Sequence, residues 1–198
     1  MTKDKTIRFA FKKILQDQYG DDPNTKIIEE LGVAHGAARI DIASVNGIIH
    51  GYELKSDADT LNRLPEQMEI YNMIFDKITL IVGKTHVHEA IKKIPDWWGI
   101  TLAKISSSGD IVFLSIREAE FNKKQDYFTI AKLLWRQEAL YILEELKAAK
   151  GIRSKSRDTI YNRLVETLDP DVLKKTVNEQ LRIRLNWRSD TAQTLCGG

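Results

Sequence analysis

Cysteine, proline and long apolar runs are scarce in this chain. Its single cysteine, Cys196, stands in a Gly-Gly tail of a 198-residue sequence, which excludes an internal disulfide and a cysteine-rich metal site. Four prolines and eleven glycines do not suit a collagen-like or low-complexity chain. The longest apolar candidate, Ile78 to Val82, is strand-sized and far below the roughly 20 residues a membrane-crossing helix needs. The opening Met1-Thr-Lys-Asp-Lys has no apolar signal core, so a reducing cytoplasm, with no membrane partner, is the expected setting. What is present is 42% hydrophobic and 29% charged residues with a mean hydropathy of −0.33. That composition suits a globular chain with one sizeable core and room for a helical annex.

Charge is unevenly spread. Between Lys147 and Arg188 there are eleven Lys and Arg against five Asp and Glu, a surplus of six in a chain whose total is +2. The rest of the chain therefore sums to −4. A basic end on an acidic body suits a polyanion partner, and a solvated helical face has the same composition.

Periodicity predicts a helix over Thr6–Tyr19, with Phe9, Ile14 and Leu15 on its apolar side. Asp22-Pro23 reads as the start of a short helix, Asn24 to Leu31, stopped by Gly32. Arg39 to Val45 and Ile48 to Lys55 alternate like strands around Asn46-Gly47, a hairpin signal. Pro65 opens a helix reaching Phe75, Lys77 to Val82 is a buried strand, and Thr85 to Ile94 is a helix. Ile100 to Ile105 and Ile111 to Ile116 form a second hairpin around Ser-Ser-Ser-Gly. Helices are then expected at Tyr127–Ala149, Ser156–Leu168 and from Asp169-Pro170 to about Trp187. The organisation predicted is a mixed α/β domain over 1–118 and a helical extension over 119–190, followed by a flexible tail over 191–198. Leu133, Leu134, Leu140, Ile142 and Leu143 need a surface to bury, so the extension should pack on the domain.

The residues with chemistry cluster on the first hairpin. Glu53 and Lys55 are two apart in a strand and share a face. A strict two-residue loop would pair Asp41 with Tyr52 and put Asp41 on the opposite face. A register shifted by one, pairing Asp41 with Gly51 and Ile40 with Tyr52, gives an apolar face (Ile40, Ile42, Tyr52, Leu54) and a polar one (Asp41, Glu53, Lys55). Hydrophobic alternation selects the shifted register. Two carboxylates and a lysine gathered on one side of a sheet are costly unless partnered. They fit a hard divalent cation, or an exposed salt-bridged strand face.

An acidic helix, then Asp41, then Glu53-Leu54-Lys55, followed by a helix with Gln67-Met-Glu-Ile-Tyr71, resembles the PD-(D/E)xK nuclease superfamily. Gln67 and Tyr71 are four apart, on one helical face, and look like the QxxxY signature of its RecB-type and phage-lambda-exonuclease branch. The run from Glu30-Leu-Gly through Ile40-Asp41 and His50-Gly-Tyr-Glu-Leu-Lys-Ser-Asp57 to Trp97-Trp98-Gly99 is similar to uncharacterised stand-alone bacterial and phage members. The likeness covers residues 20–105; Ile40 stands where the family has a proline. It implies a restriction-endonuclease-like α/β fold, a mixed sheet flanked by helices, with a C-terminal helical extension. It also implies Mg²⁺- or Mn²⁺-dependent hydrolysis of DNA. Asp41 and Glu53 would be metal ligands, with the Leu54 carbonyl a third and Glu30 acting through water. Glu29 is the alternative helical acid. Lys55 would be the catalytic lysine, and Gln67 and Tyr71 would position the strand or the lysine. A catalytically inactive nucleic-acid-binding module, or a defence- or toxin-type nuclease needing a protein partner, would share the fold.

Other features have plainer readings. His86 and His88 are two apart at a helix start and face different ways, unlike a zinc pair. Trp97-Trp98 suits core or interface packing more than a base-stacking platform, and Asp57 and Asp59 suit turn caps more than the rim of a metal site. Arg153, Lys155 and Arg157 alternate with serines directly before a helix, a pattern of a phosphate-binding segment or of a solvated basic loop.

Overall fold

The computed structural model describes residues 1–185. A six-stranded mixed sheet carries the fold, flanked by seven α-helices among the described residues. In chain order these are α1 (Asp4–Tyr19), β1 (Lys26–Val33), β2 (Ala38–Val45), β3 (Ile49–Lys55), α2 (Leu64–Ile74), β4 (Lys77–Gly83), α3 (Val87–Lys93), β5 (Gly99–Ile105) and β6 (Ile111–Arg117). Four helices follow: α4 (Tyr127–Ala131), α5 (Arg136–Glu145), α6 (Arg157–Thr167) and α7 (Pro170–Ile183). Strand order equals chain order, with β3, β4 and β5 parallel and the outer pairs antiparallel. No described helix is long and apolar enough to cross a membrane.

The sheet is covered on both faces. On one lies α1, whose Ile7, Phe11 and Leu15 recur at the spacing of a single helical stripe and pack on Ile42, Tyr52, Leu54 and Ile81. The expected apolar side of this helix is corrected here. Phe9 is 74% and Ile14 42% exposed, because both lie off the stripe that meets the sheet. On the other face, residues of α2 and of the extension join sheet residues in one continuous core: Leu64, Tyr71 and Ile74 with Leu80 and Val82, and Ile130, Leu134, Leu143, Leu164, Val177 and Leu181 beyond them. Trp98 is fully buried there and donates its indole N–H to Asn72 Oδ1 at 2.8 Å.

Three local expectations change. The segment predicted as a helix from Asn24 to Leu31 is strand β1, paired with β2 through Ile28 opposite Ala43 and Leu31 opposite Ile40. Glu30 has a left-handed backbone (φ 52°), which breaks the two-residue alternation that would have marked a strand. Second, the hairpin register is shifted in the direction opposite to that expected. Val45 pairs with Ile49 across a three-residue loop with Gly47 at φ 91°, and Ile42, not Ile40, faces Tyr52. A one-residue slip in either direction restores the same parity, so Asp41 still shares a side with Glu53 and Lys55. Ile40 departs from the predicted apolar face and joins the core with α2. Third, the helix expected over Tyr127–Ala149 is two helices. The chain turns between them, and the Glu138 carboxylate accepts the Trp135 N–H at 2.7 Å to start α5. The last helix ends at Ile183; Trp187 and the tail over 191–198 lie outside the described residues.

The start of β3 holds a half-buried imidazole. His50 Nε2 meets Thr79 Oγ1 at 2.9 Å, Nδ1 meets the Tyr52 hydroxyl at 3.2 Å, and burial, with Lys77 adding to it, pushes its pKa down to about 3. In the unfolded chain it would titrate near 6.5. Between these values only the unfolded state takes up the proton, so stability should fall as pH is lowered through this window, by about 1 kcal/mol per pH unit. Urea midpoints from pH 7 to pH 4 measure this, and His50→Gln should flatten the dependence.

Candidate active site

The end of β3 meets the beginning of β2 beside α1 and α2, and this is where the charged residues converge. Alternation along β3 sends Tyr52 and Leu54 to the α1 face and leaves Glu53 and Lys55 for the α2 face. Glu53 is 2% exposed. Its Oε1 accepts from Lys55 Nζ at 2.6 Å and from Gln67 Nε2 at 2.8 Å, and its Oε2 from the Tyr71 hydroxyl at 2.9 Å. Gln67 and Tyr71 reach it together because they are one turn apart on α2, which Pro65 starts in its first turn. The Tyr71 oxygen also lies 2.6 Å from the Arg39 carbonyl, so its one proton serves two acceptors in turn. Gln67 Oε1 is buried without a partner among the described residues.

Asp41 approaches from β2. Its Oδ2 accepts the Leu54 N–H at 2.7 Å, and its Oδ1 accepts from Arg8 Nη2 at 2.6 Å. Arg8 comes from α1, where Asp4 lies one turn before it at 3.5 Å, and its other terminal nitrogen pairs with Glu30. The guanidinium thus bridges Asp41 and Glu30. Burial pulls its pKa down, but Asp41, Asp4 and Glu30 outweigh that and raise it.

Electrostatics mark Glu53 as the strained member. Burial first, then repulsion from Asp41, pushes its pKa up to about 7, against the pull of Lys55 and Tyr71. Burial also raises Asp41, although the Leu54 N–H and Arg8 oppose it. Tyr71 is raised as well, by burial and by the Glu53 charge. A buried and a half-buried carboxylate that resist ionisation together are short of positive charge. They open on a cleft of about 540 Å³ that Asp4, Arg8, Glu30, Lys55, Asp59, Arg63 and Gln67 also line.

The donor set suits a hard ion. Mg²⁺ is commonly held by one or two carboxylates and keeps several waters, and Asp41 and Glu53 supply such a pair of oxygen donors. Among the described residues no group of three or more His, Cys, Asp or Glu is assembled to hold a metal. Glu30, expected on a helix, stands on β1 at the cleft margin, tied to Arg8 and at 3.5 Å to Arg39. Glu29 pairs with Lys12 instead and does not line the cleft. Leu54 lines it, with its N–H committed to Asp41.

The remaining sequence candidates lie elsewhere, apart from Asp59 at the cleft margin. Arg153 pairs with Glu144 at 2.9 Å and lines a shallow depression with Lys147 and Lys150. Arg157 lines a different cleft, near His35, and Lys155 is exposed. Asp59 closes the turn after Lys55 by accepting from Ser56 N and Oγ at 2.7 and 2.6 Å. Asp57 instead ties the chain start to the approach of α3, accepting from Thr2 N at 2.8 Å and Thr85 N at 3.1 Å. Sequence reasoning missed Arg8. The signal for it was the Ile7, Phe11, Leu15 stripe, since a helix laid on that stripe carries Arg8 along the sheet end with Asp41.

A family model described as "Bacteriophage P4 protein cII" matches residues 4–194. Protein cII of Enterobacteria phage P4 is 28% identical over 119 residues, which are 60% of this chain and 45% of that protein. The chain thus spans less than half the length of that curated relative. Among solved structures, the SPO1766 protein of unknown function from Silicibacter pomeroyi aligns over 79% of this chain and 99% of its own, with a TM-score of 0.45 and 18% identity.

Proposed function

This chain belongs to the bacteriophage P4 protein cII family, and we propose that it is a metal-dependent deoxyribonuclease of the PD-(D/E)xK type, with the restriction-endonuclease-like arrangement of that superfamily. The observation that carries the reading is the cluster of half-buried Asp41 with buried Glu53 and Lys55 facing a cleft, with Gln67 and Tyr71 hydrogen-bonded to the Glu53 carboxylate. Asp41 and Glu53 are the residues that would hold Mg²⁺ or Mn²⁺, with the Leu54 carbonyl beside them and Glu30 reaching through water. Such an ion supplies charge neutralisation at a phosphoryl group and makes bound water more acidic.

The chain's own residues do the rest. Lys55, held against Glu53, orients the attacking water and offers its ammonium to charge developing on the phosphate. Gln67 and Tyr71 are positioning residues: they fix the Glu53 carboxylate from two sides. Arg8 holds Asp41 in its rotamer. DNA is the partner in this reading, and the cytoplasm is its location.

Incubating the purified chain with linear and covalently closed circular DNA, each in Mg²⁺, Mn²⁺, Ca²⁺ or EDTA, tests the proposal. Cleavage is expected in Mg²⁺ and Mn²⁺ and not in EDTA; cleavage that persists in EDTA would overturn it. Ca²⁺ should support binding with little cleavage, since it accepts looser geometry and is the weaker Lewis acid. The Gln67–Tyr71 pair, which the superfamily likeness associates with end-dependent members, predicts faster cleavage of the linear duplex. Equal rates on both forms would make the enzyme an endonuclease.

A further inference from the structure

We propose that a second cleft, lined by His35, Lys132, Arg136 and Arg157, holds the phosphate backbone of the DNA strand that runs to the Asp41–Glu53–Lys55 site. The proposal rests on the nuclease reading for its direction and on separate residues for its charge. The cleft has a volume of about 510 Å³ and lies between the 3-10 turn Ala34–Gly36 and the extension. Glu30 and Gly36 line both clefts, so the two adjoin beside β1.

Its cations come from separate elements and have little to neutralise them. Lys132 follows α4 and lies over the Phe128 ring at 4.1 Å, with no carboxylate partner among the described residues. Arg136 spends one nitrogen on the Arg153 and Lys155 carbonyls, at 2.5 and 3.4 Å, and has no ion pair among the described residues. The Arg157 side chain has no ion pair or hydrogen bond among the described residues. The acids nearby are Glu30, already held by Arg8 and Arg39, Asp158, and Glu138, which is bound to Arg184 at 2.8 Å. Burial first, then Arg157 and Lys132, hold the His35 imidazole below its ordinary value, so these groups face one space.

Local conflicts in the cleft point the same way. Arg136 and Arg157 are the first residues of α5 and α6, the helix end where acids, not cations, are stabilising. Ala34 and His35 have left-handed backbones (φ 48° and 59°), a conformation that costs energy outside glycine. That turn puts the His35 ring 5.5 Å from Tyr161, which is buried and anchored to the Leu134 carbonyl at 2.8 Å. A positive trough with an aromatic floor is the arrangement that tracks a nucleic-acid backbone.

Salt-dependent binding of a labelled 20-base-pair duplex in EDTA tests this without catalysis. Each phosphate contact contributes about 0.9 to the slope of log affinity against log salt. Lys132→Gln and Arg157→Gln should each reduce the slope by about 0.9, and the double variant by about 1.8. The control, Lys150→Gln with Arg153→Gln on the separate depression, should leave it unchanged. An unchanged slope in the first double variant, or an equal loss in the control, overturns the proposal. The nuclease reading is scored apart, by Mg²⁺-dependent cleavage of the same duplex. A reduced slope with no cleavage by the wild type keeps the cleft and removes the nuclease; cleavage with an unchanged slope does the reverse.

Discussion

Replacing Glu53 by Gln, Asp41 by Asn or Lys55 by Ala is expected to lower Mg²⁺-dependent DNA cleavage by about 10³-fold or more in each case. The size follows from the roles proposed. A carboxylate that positions charge against a phosphate, or a group that assists proton transfer, is worth about 10²- to 10⁴-fold. Losses within one cooperating unit are not additive, so the triple variant should be little worse than the worst single one. Fold is the control. Glu53→Gln retains one oxygen, which can still accept from Tyr71, and Asp41→Asn can still accept the Leu54 N–H. Both should keep the far-ultraviolet circular dichroism of the wild type. Tyr71→Phe provides a graded comparison. It removes the hydroxyl 2.9 Å from Glu53 without removing a ligand, so cleavage should drop by about 10-fold, in line with one lost hydrogen bond to a charged group. Full activity in all three primary variants would dismiss the site.

Much of this site was legible because its parts are local. Glu53 and Lys55 needed only strand alternation, and Gln67 and Tyr71 only one helical turn. Placing Asp41 on the same side needed register parity, which hydrophobic alternation supplies even when the direction of the slip is misjudged. The structure pairs Ala43, not Asp41, with Gly51. Yet a shift by one in either direction changes the face identically. Arg8 was hidden because its partners Asp41 and Glu30 lie 33 and 22 residues away, and no local period connects them. The basic cleft was half visible: Arg157 was in the charged run, but Lys132, Arg136 and His35 join it only through the packing of the extension.

The strand β1 was unreadable for a physical reason. Its apolar residues Ile28, Leu31 and Val33 follow neither strict alternation nor a clean helical stripe, since the left-handed Glu30 resets the phase midway. Asp22-Pro23 before it has the look of a helix start, but Asp22 instead closes a tight turn. It accepts from Asn24 N at 2.9 Å and Thr25 Oγ1 at 2.6 Å. The break after Ala131 has no proline or glycine to announce it. It depends on Glu138, which takes the Trp135 N–H and the Arg184 guanidinium at once, a tertiary choice rather than a local one.

Asp76→Ala is expected to cost about 2–4 kcal/mol and to loosen the sheet and the extension together. The Asp76 side chain is 5% exposed. One oxygen accepts the Ile49 N–H at 2.8 Å, at the start of β3, and the other pairs with Lys174 of α7 at 2.5 Å. Nearby, the hairpin turn donates its Gly47 N–H to Asn178 of the same helix at 3.1 Å, and Lys174 also reaches Gln125 at 2.7 Å. Removing the carboxylate leaves a buried backbone donor without a partner, worth about 1–3 kcal/mol, and uncouples a partly buried cation. Asp76→Asn should cost about half as much, because the amide oxygen can still accept from Ile49. Lys174→Met leaves the buried carboxylate uncompensated and should cost nearly as much as Asp76→Ala. Because the core runs without interruption from β3 through α4 to α7, amide hydrogen exchange should lose protection in β3 and α7 by the same amount. Loss confined to α7 would mean that the extension unfolds alone, and that the strand carrying Glu53 and Lys55 does not depend on it.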